Sequence, residues 1–341
     1  MPSGCRGSKS MTAKRFLFIL ASIVVSAISL ALVLRAVPIN DVVNSLRSAD
    51  PAYLLIALLF ATLALLTRGI RWWLLLDRRI SVAESFHMVN VMFLGNQLPF
   101  RLGEVARGIL AARRGVPLVT SGASIIVERL IDMLVVVLVI AYAVSLLPSV
   151  PSDITEKAAL FGALALVGFL VLLAFAHAPG PAHGLLNAIL KAAPPLKRLP
   201  LRTMLEHLLE ALRPITDLRT LGNTAIWTAL AWAAALAAFY FSHLALGIEV
   251  DYLISVSLGI ALTALSIAFP VSVAALGPFE LAILTTGRLV GMSDADALAL
   301  GFLLHGINVF SYALWGTIGL LALGTSPAMA FSANRTARDQ A

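Results

Sequence analysis

The sequence predicts an all-α protein that crosses a membrane several times. Of its 341 residues, 60% are hydrophobic and 13% are charged, and the mean hydropathy is +0.93. Six apolar runs approach or exceed the roughly 20 residues that an α-helix needs to span a bilayer. These runs cover residues 16–34, 52–70, 118–147, 158–176, 224–246 and 297–323. A soluble domain of this length would not carry six of them.

The first run is predicted to be a retained span that follows a cytoplasmic leader. It is too long for the apolar core of a signal peptide, and no convincing small-residue cleavage site follows it. The leader, residues 1–14, is basic, and the positive-inside rule therefore places the N-terminus in the cytoplasm. Met1 and Met11 are both candidate start residues. The single cysteine, Cys5, lies in the leader, so no internal disulfide is expected.

The charges of the connecting segments alternate in sign if two segments turn back inside the membrane. Basic clusters follow the second span and occupy the loop 178–221, which predicts that both are cytoplasmic. The loops around 153–156 and 249–251 are acidic and are predicted to face outward. This alternation requires segments 84–114 and 252–290 each to form a re-entrant helical hairpin with prolines near its tip.

The two halves of the chain also share a spacing pattern. In each half a glutamate precedes a glycine by eleven residues, and polar residues follow that glycine at 14 and 17. The residues are Glu104, Gly115, Arg129 and Asp132 in the first half, and Glu280, Gly291, His305 and Asn308 in the second. An odd number of crossings per half inverts the second half, and inverted repeats with broken helices are typical of secondary transporters. A chance match between two amphiphilic helix sets is the alternative.

The predicted architecture has three spans and one re-entrant hairpin in each half. This makes about six full spans and two hairpins, in eight hydrophobic segments. The chain then divides into a cytoplasmic leader, two membrane repeats and a cytoplasmic tail, and the basic cytoplasmic loop belongs to the second repeat. The bounds of these four parts are 1–14, 15–150, 151–323 and 324–341.

Ionisable residues cluster in the stretch 94–132, where an apolar membrane protein should have almost none, which makes it the candidate site. Arg101, Glu104 and Arg107 share one helix stripe directly after Pro99. A helix that begins there in mid-membrane would point free N–H groups at an anion, and the two arginines would complete a phosphate pocket. Alternatively, the three charges pair among themselves and lock the hairpin.

Further polar residues are predicted to line the same substrate-binding cavity. They are Asn96, Glu128, Arg129, Asp132, Glu280, His305 and Asn308. The carboxylates would balance the arginines, and His305 beside a carboxylate could carry a proton. The alternatives are structural: a buried ion-pair lattice for the charged residues of span 118–147, a packing role for His305, and satisfaction of free backbone groups by Asn96.

Three features are assigned to the cytoplasmic surface. Arg68 and Arg71 are predicted to contact lipid headgroups there. Trp72 and Trp73 are predicted to anchor the second span at the membrane interface. Segment 197–219 is amphipathic and basic, and it is predicted to lie on the inner leaflet without a chemical role.

The sequence contains no nucleotide, metal or nucleophile motif. It has no G-x-x-x-x-G-K-[ST] loop, no H-E-x-x-H, no cysteine cluster and no G-x-S-x-G. ATP hydrolysis, catalytic residues, a metal site and a cofactor are therefore not expected. The net charge of +7 is assigned to membrane topology, and no nucleic-acid partner is expected.

The charged motif resembles that of the flippase-like transmembrane proteins, a family named for the membrane region of lysylphosphatidylglycerol synthase. The motif reads Asn96-x-x-Pro99-x-Arg101-x-Gly103-Glu104-x-x-Arg107, then Glu128-Arg129-x-x-Asp132. The resemblance covers about residues 12–323. The second-half motif of the family is usually richer in glycine than the segment 274–280 found here. The resemblance implies lipid translocation, and not aminoacyl transfer, because the soluble transferase domain of the synthases has no counterpart in this sequence.

The leading hypothesis is a plasma-membrane lipid flippase, not an enzyme, with both termini in the cytoplasm. The headgroup of a phospholipid or a polyprenyl-phosphate-linked lipid would pass through a midplane cavity by alternating access while its tails stay in the bilayer. The partners would be lipids with phosphate headgroups and, as a further candidate, a separate lipid-modifying enzyme. The alternatives are a membrane-embedded transferase for lipid-linked substrates and an ion-coupled carrier of small solutes.

Overall fold

The structure, a computed structural model, describes residues 38–98, 102–147, 152–268 and 273–326, with isolated positions between 24 and 31. Two residues predicted to form the site, Pro99 and Arg101, lie outside the described residues. So do the leader, most of the first apolar run and most of the tail. Within the described part the chain consists of helices joined by turns and short connections, with no strand.

Twelve α-helices occur among the described residues. The first five are α1 (Ile39–Arg47), α2 (Pro51–Leu75), α3 (Val82–Gly95), α4 (Leu102–Arg113) and α5 (Leu118–Ser145). The next four are α6 (Ser152–His177), α7 (Pro179–Ala192), α8 (Leu201–Leu212) and α9 (Leu218–Ala245). The last three are α10 (Tyr252–Ala268), α11 (Pro278–Leu289) and α12 (Asp294–Ala322). Short 3₁₀ turns cover Pro194–Arg198, Arg213–Thr216 and Val273–Ala275.

Four helices are long and apolar enough to cross a membrane, which confirms a multi-pass membrane protein. Their apolar parts are Pro51–Leu75, Thr155–His177, Leu218–Ala245 and Asp294–Ala322, close to four of the predicted runs. α5 is equally long, with 28 residues, but it carries three charged residues near its middle. α6 exposes a row of large apolar side chains, among them Phe161 at 67% exposure, as expected for a lipid-facing helix.

Local sequence signals set where the long helices α2 and α9 begin. The Asp50 side chain caps α2 by accepting a hydrogen bond from the N–H of Ala52 (2.8 Å), and Pro51 takes the first helical position. Asp217 caps α9, where the backbone N–H and the hydroxyl of Thr220 both donate to its carboxylate and lower its pKa. α2 and α9 pack along each other and make the most extensive helix contact of the described chain.

Two pairs of short helices lie between the long ones: α3 packs on α4, and α10 packs on α11. The second helix of each pair ends at a glycine with positive φ, Gly115 (84°) or Gly291 (76°). Residues with a Cβ rarely adopt this conformation, so both glycines act as C-terminal helix stops. The long helices α5 and α12 begin three residues after these glycines.

The buried apolar residues of the described chain form four clusters, of which three are large. The largest cluster joins α9, α10, α11 and α12 through residues such as Phe239, Ile283 and Leu300. A second cluster joins α2, α3 and α4 around Trp72 and Met88. A third joins α5 and α6 to α8 and the 3₁₀ turn that follows it. The long and short helices therefore form one packed bundle.

Segment 197–219 was predicted to lie on the inner leaflet, and much of its apolar face instead packs on protein. Leu209, Leu212 and Ile215 are buried in the cluster formed with α5 and α6. The sequence pattern correctly indicates an amphipathic helix. It does not show which apolar surface covers that helix, because a neighbouring helix and a lipid surface favour the same pattern.

α12 approaches α3 closely because glycines line the contact. A Cβ added to Gly316 would lie 2.5 Å from the Cβ of Leu94 and 3.0 Å from the carbonyl oxygen of Asn90. A Cβ added to Gly319 would lie 2.8 Å from the carbonyl oxygen of His87. Small residues allow such close helix contacts inside membranes. The position of α12 against α3 therefore depends on these glycines.

We expect Gly316→Ala to destabilise the protein, with Gly306→Ala on the same helix as the matched control. The methyl group at 316 overlaps α3, and overpacking of this kind costs about 1–3 kcal/mol. A Cβ added to Gly306 would meet no described atom within 4 Å apart from its chain neighbours and its own helix backbone, so alanine there should be neutral or stabilise the helix by up to about 1 kcal/mol. Thermal unfolding of both purified variants in one detergent measures the difference. Equal transition temperatures would contradict the close contact of α3 and α12.

Candidate functional site

Buried charges from three helices meet at one point of the bundle. Arg71 of α2 donates to Oε1 of Glu128 on α5 (2.9 Å) and to both oxygens of Asp132, one turn later on the same helix (2.7 and 3.0 Å). The planar guanidinium matches this two-carboxylate arrangement. Arg71 is fully buried and Glu128 is 2% exposed, so these are interior ion pairs.

Glu128 also binds a second arginine through its other oxygen. Nη1 of Arg107, on α4, lies 2.8 Å from Oε2 of Glu128. The contact is not aligned as a hydrogen bond, and none of the three guanidinium nitrogens of Arg107 has a hydrogen-bond acceptor among the described residues. The guanidinium carbon lies 4.6 Å from the ring centroid of Trp72, whose π face stabilises the cation. Glu128 thus joins α2, α4 and α5.

The surface roles predicted for Arg71 and Trp72 are wrong. Both side chains are fully buried, and the indole N–H of Trp72 donates to the hydroxyl of Ser124 (3.0 Å). Arg78 and Arg79, which follow shortly after in the sequence, are exposed just beyond the end of α2. Their proximity is the reason why Arg71 and Trp72 were also assigned to the membrane surface. Arg71 lies two turns earlier on the helix, where carboxylates of α5 neutralise it.

Glu104 and Arg107 do not form an ion pair with each other. The alternative that the charges of this helix pair among themselves is therefore wrong for these two residues. Glu104 instead forms an ion pair with Arg129 of α5 (3.2 Å). Its side chain is 26% exposed and that of Arg129 is 37% exposed. Glu104 and Arg107 of α4 thus both pair with residues of α5, Arg107 at a buried position and Glu104 at a more open one.

An equivalent pair occurs in the second half of the chain. Glu280 of α11 binds Nδ1 of His305 on α12 (2.5 Å), and its other oxygen accepts from the N–H of Gly277 (2.7 Å). Nε2 of His305 lies 3.0 Å from the carbonyl oxygen of Ala274. Both ring nitrogens therefore face acceptor oxygens. Glutamate and basic partner are 25 positions apart here, as they are in the pair of Glu104 and Arg129.

The His305–Glu280 pair holds a connection with unusual backbone geometry. Ala274, Ala275 and Gly277 have φ values of 51°, 60° and 89°. Positive φ at an alanine costs on the order of 1–3 kcal/mol and persists only where the surroundings enforce it. The hydrogen bonds to Ala274 and Gly277 provide that enforcement, so His305 and Glu280 position this segment between α10 and α11.

A cavity of about 270 Å³ brings together predicted site residues from both halves of the chain. The predicted residues that line it are Asn96, Glu128, Arg129, Asp132, His305 and Asn308. Glu104, Arg107 and Glu280 do not line it; each supports a residue that does. Arg68, predicted at the cytoplasmic surface, also lines it.

Several cavity residues were not identified from the sequence. Tyr312 lies on the stripe of α12 that carries His305 and Asn308, so helical spacing could have revealed it. Phe93 and Gln97 lie on either side of Asn96 at the end of α3. The side-chain carbonyl oxygens of Asn96 and Gln97 are buried without a hydrogen-bond partner among the described residues. These oxygens therefore remain available as acceptors.

The fold and the cavity define a multi-pass membrane protein whose helices surround a cavity lined by both polar and apolar side chains. Residues 19–316 match the family described as "Lysylphosphatidylglycerol synthase TM region". The chain belongs to this family, as its motif around Glu104 and Glu128 indicated. Among proteins of curated function, none matches the chain significantly.

We expect Glu128→Gln to destabilise the fold strongly, because it leaves two buried guanidinium groups with less compensation. Breaking one partner of a buried ion pair costs about 3–5 kcal/mol. The matched control is Glu84→Gln, whose carboxylate pairs with Arg114 at 3.3 Å near the surface. A surface pair contributes about 0–1 kcal/mol. Yield of monodisperse protein and thermal unfolding measure both.

Removing the second cation together with the carboxylate provides the complementary test. Glu128→Gln combined with Arg107→Met leaves Arg71 bound to Asp132 and no charge at position 107. This double variant should be more stable than Glu128→Gln alone. If it is less stable, Arg107 does not depend on Glu128 for its compensation.

Proposed function

We propose that this protein translocates lipids with phosphate-bearing headgroups between the two leaflets of a membrane. The observation that carries the proposal is the cavity, which holds charged and amide side chains among helices apolar enough to cross a bilayer. Charged residues inside a membrane are costly and commonly mark substrate pathways. A family whose name refers to a lipid synthase supports a lipid as the substrate.

In this proposal the two pairs of short helices are re-entrant hairpins. α3 and α4 have 14 and 12 residues. At 1.5 Å per residue they are about 21 and 18 Å long, too short for a bilayer core of about 30 Å. α11 also has 12 residues. Paired helices of this length reach the middle of the membrane and turn back, which is where a translocator holds its substrate.

The halves 15–150 and 151–323 act as inverted repeats in this proposal. Matched contacts support it: α2 packs on α9, α12 packs on α3, and α5 packs on α10, the counterpart of α3. The ion pairs Glu104–Arg129 and Glu280–His305 occupy equivalent positions in this scheme. Rocking of one repeat against the other would then expose the cavity to each side of the membrane in turn.

The contacts divide the site residues into a buried structural group and a partly exposed pair that can contact a headgroup. Glu128, Arg71 and Arg107 are almost fully buried and hold three helices together, so they serve as scaffold. Glu104 and Arg129 form a partly exposed pair, which a headgroup phosphate can enter by competing for the guanidinium. The protein would act in the plasma membrane with both termini in the cytoplasm.

Filling the cavity tests the proposal directly. Ala235 and Ala233 lie on α9, the first lining the cavity and the second exposed on another face. We expect Ala235→Phe to abolish lipid translocation and Ala233→Phe to leave it unchanged, because only the first side chain occupies the headgroup path. The assay uses reconstituted vesicles with fluorescent phospholipids and measures the fraction that dithionite can quench from outside.

The same preparation separates transport from chemistry on lipids. Translocation changes the leaflet of a lipid and not its mass, whereas a membrane-embedded transferase produces a new lipid mass. Lipid extracts from vesicles with active protein should therefore show unchanged species by mass spectrometry. Equal quenching in vesicles with Ala235→Phe and with the parent protein would exclude this cavity as the path.

A further inference from the structure

Among the described residues, the charges of the site leave one arginine, Arg68, without a carboxylate partner. Within the described residues three arginines form ion pairs with three carboxylates: Arg71, Arg107 and Arg129 with Glu104, Glu128 and Asp132. Glu280 and His305 form a separate pair. Arg68 lines the same cavity and makes no ion pair with any described residue. Among the described residues, Arg68 therefore contributes a positive charge to the cavity that no ion pair neutralises.

The contacts of Arg68 leave most of its guanidinium free. One nitrogen lies 3.4 Å from the carbonyl oxygen of Ala64, one turn earlier on its own helix. The guanidinium carbon lies 5.9 Å from the ring centroid of Phe93. Glu128 and Asp132 are near enough to act on Arg68 electrostatically, but both are bound by Arg71. A cation without compensation is costly in an apolar interior, and a mobile anion would stabilise it.

Two further hydrogen-bond donors lie at the same end of the cavity. The ring of Tyr312 stacks on Phe93, with centroids 4.8 Å apart and planes 12° apart, so it lies against the same ring as the guanidinium of Arg68. Asn308 lies one turn before Tyr312 on α12 and also lines the cavity. Neither side chain hydrogen-bonds to another described residue. A guanidinium, a phenol and an amide together suit the oxygens of a phosphate.

We propose that Arg68, Tyr312 and Asn308 form a binding site for a singly charged phosphodiester, the phosphodiester site, and that the cavity selects lipid headgroups without a cationic substituent. This inference rests on the proposed function and specifies the lipid class. The described carboxylates that line the cavity, Glu128 and Asp132, are already bound by Arg71, and Arg68 would repel an ammonium group. At about 270 Å³ the cavity is slightly below the usual range of about 300–1,000 Å³ for small-molecule pockets, so it holds a headgroup and leaves the acyl chains outside.

Binding of short-chain lipids to the full-length protein in detergent tests the phosphodiester site. The probes are dihexanoyl phosphatidylglycerol, dihexanoyl phosphatidylcholine and inorganic phosphate, and the readout is the concentration dependence of the thermal transition. We expect the anionic lipid to bind at least tenfold more tightly than the zwitterionic one. Arg68→Gln should remove this preference, and Arg68→Lys should retain part of it, because the charge remains but the planar fork is lost.

Two variants complete the set. Tyr312→Phe removes one hydroxyl, keeps the ring on Phe93 and should weaken binding of the anionic lipid several-fold, so it carries the test if Arg68→Gln does not fold. Arg79→Gln removes an exposed arginine outside the cavity and should change nothing. Equal affinity for the two lipids, or full affinity in both Arg68→Gln and Tyr312→Phe, would overturn the assignment. Inorganic phosphate binding as tightly as the anionic lipid would overturn a lipid headgroup as the ligand.

The vesicle assay distinguishes failure of this inference from failure of the proposed function. Selective binding of the anionic lipid without any translocation would support the phosphodiester site and contradict the transport proposal. Translocation of anionic and zwitterionic lipids at equal rates, unchanged by Arg68→Gln, would support the transport proposal and contradict the phosphodiester site.

Discussion

The cost of taking charges out of water governs this structure. Glu128 is almost fully buried and contacts the guanidinium groups of Arg71 and Arg107, which come from two other helices. Each of these charges alone would be costly in an apolar interior, so the helices that carry them must stay together. The positions of α2, α4 and α5, and the cavity that α2 and α5 line, depend on this one carboxylate.

The second half of the chain meets the same constraint with fewer charges. Glu280 and His305 join α11 to α12 and also hold the backbone around Ala274, which has positive φ. The first half places an arginine network at the cavity, whereas the second half contributes one histidine and the amide of Asn308. The two walls of the cavity therefore differ in charge, although the pairs Glu104–Arg129 and Glu280–His305 share the same sequence separation.

The errors made from the sequence arise from partners that are distant along the chain. Arg71 was assigned to the membrane surface because exposed arginines follow it closely, yet its carboxylates lie 57 and 61 residues further on. Trp72 was assigned with it and is instead covered by Arg107 and Ser124. Arg107 was expected to face a headgroup and lies behind the cavity wall. Arg68 was also assigned to the surface, yet it lines the cavity, and no described carboxylate forms an ion pair with it.

The sequence by itself determined the membrane class, the helices long enough to span a bilayer, the short helices between them, and the segments that carry most of the buried charges. These follow from hydropathy, helix stops such as Gly115 and Gly291, and the rarity of charge in apolar segments, all of which are local properties. Only the tertiary structure decided which charge neutralises which, and therefore which residue remains free. Ion pairing depends on distances of a few ångströms between separate helices, and spacing along one helix does not specify those distances.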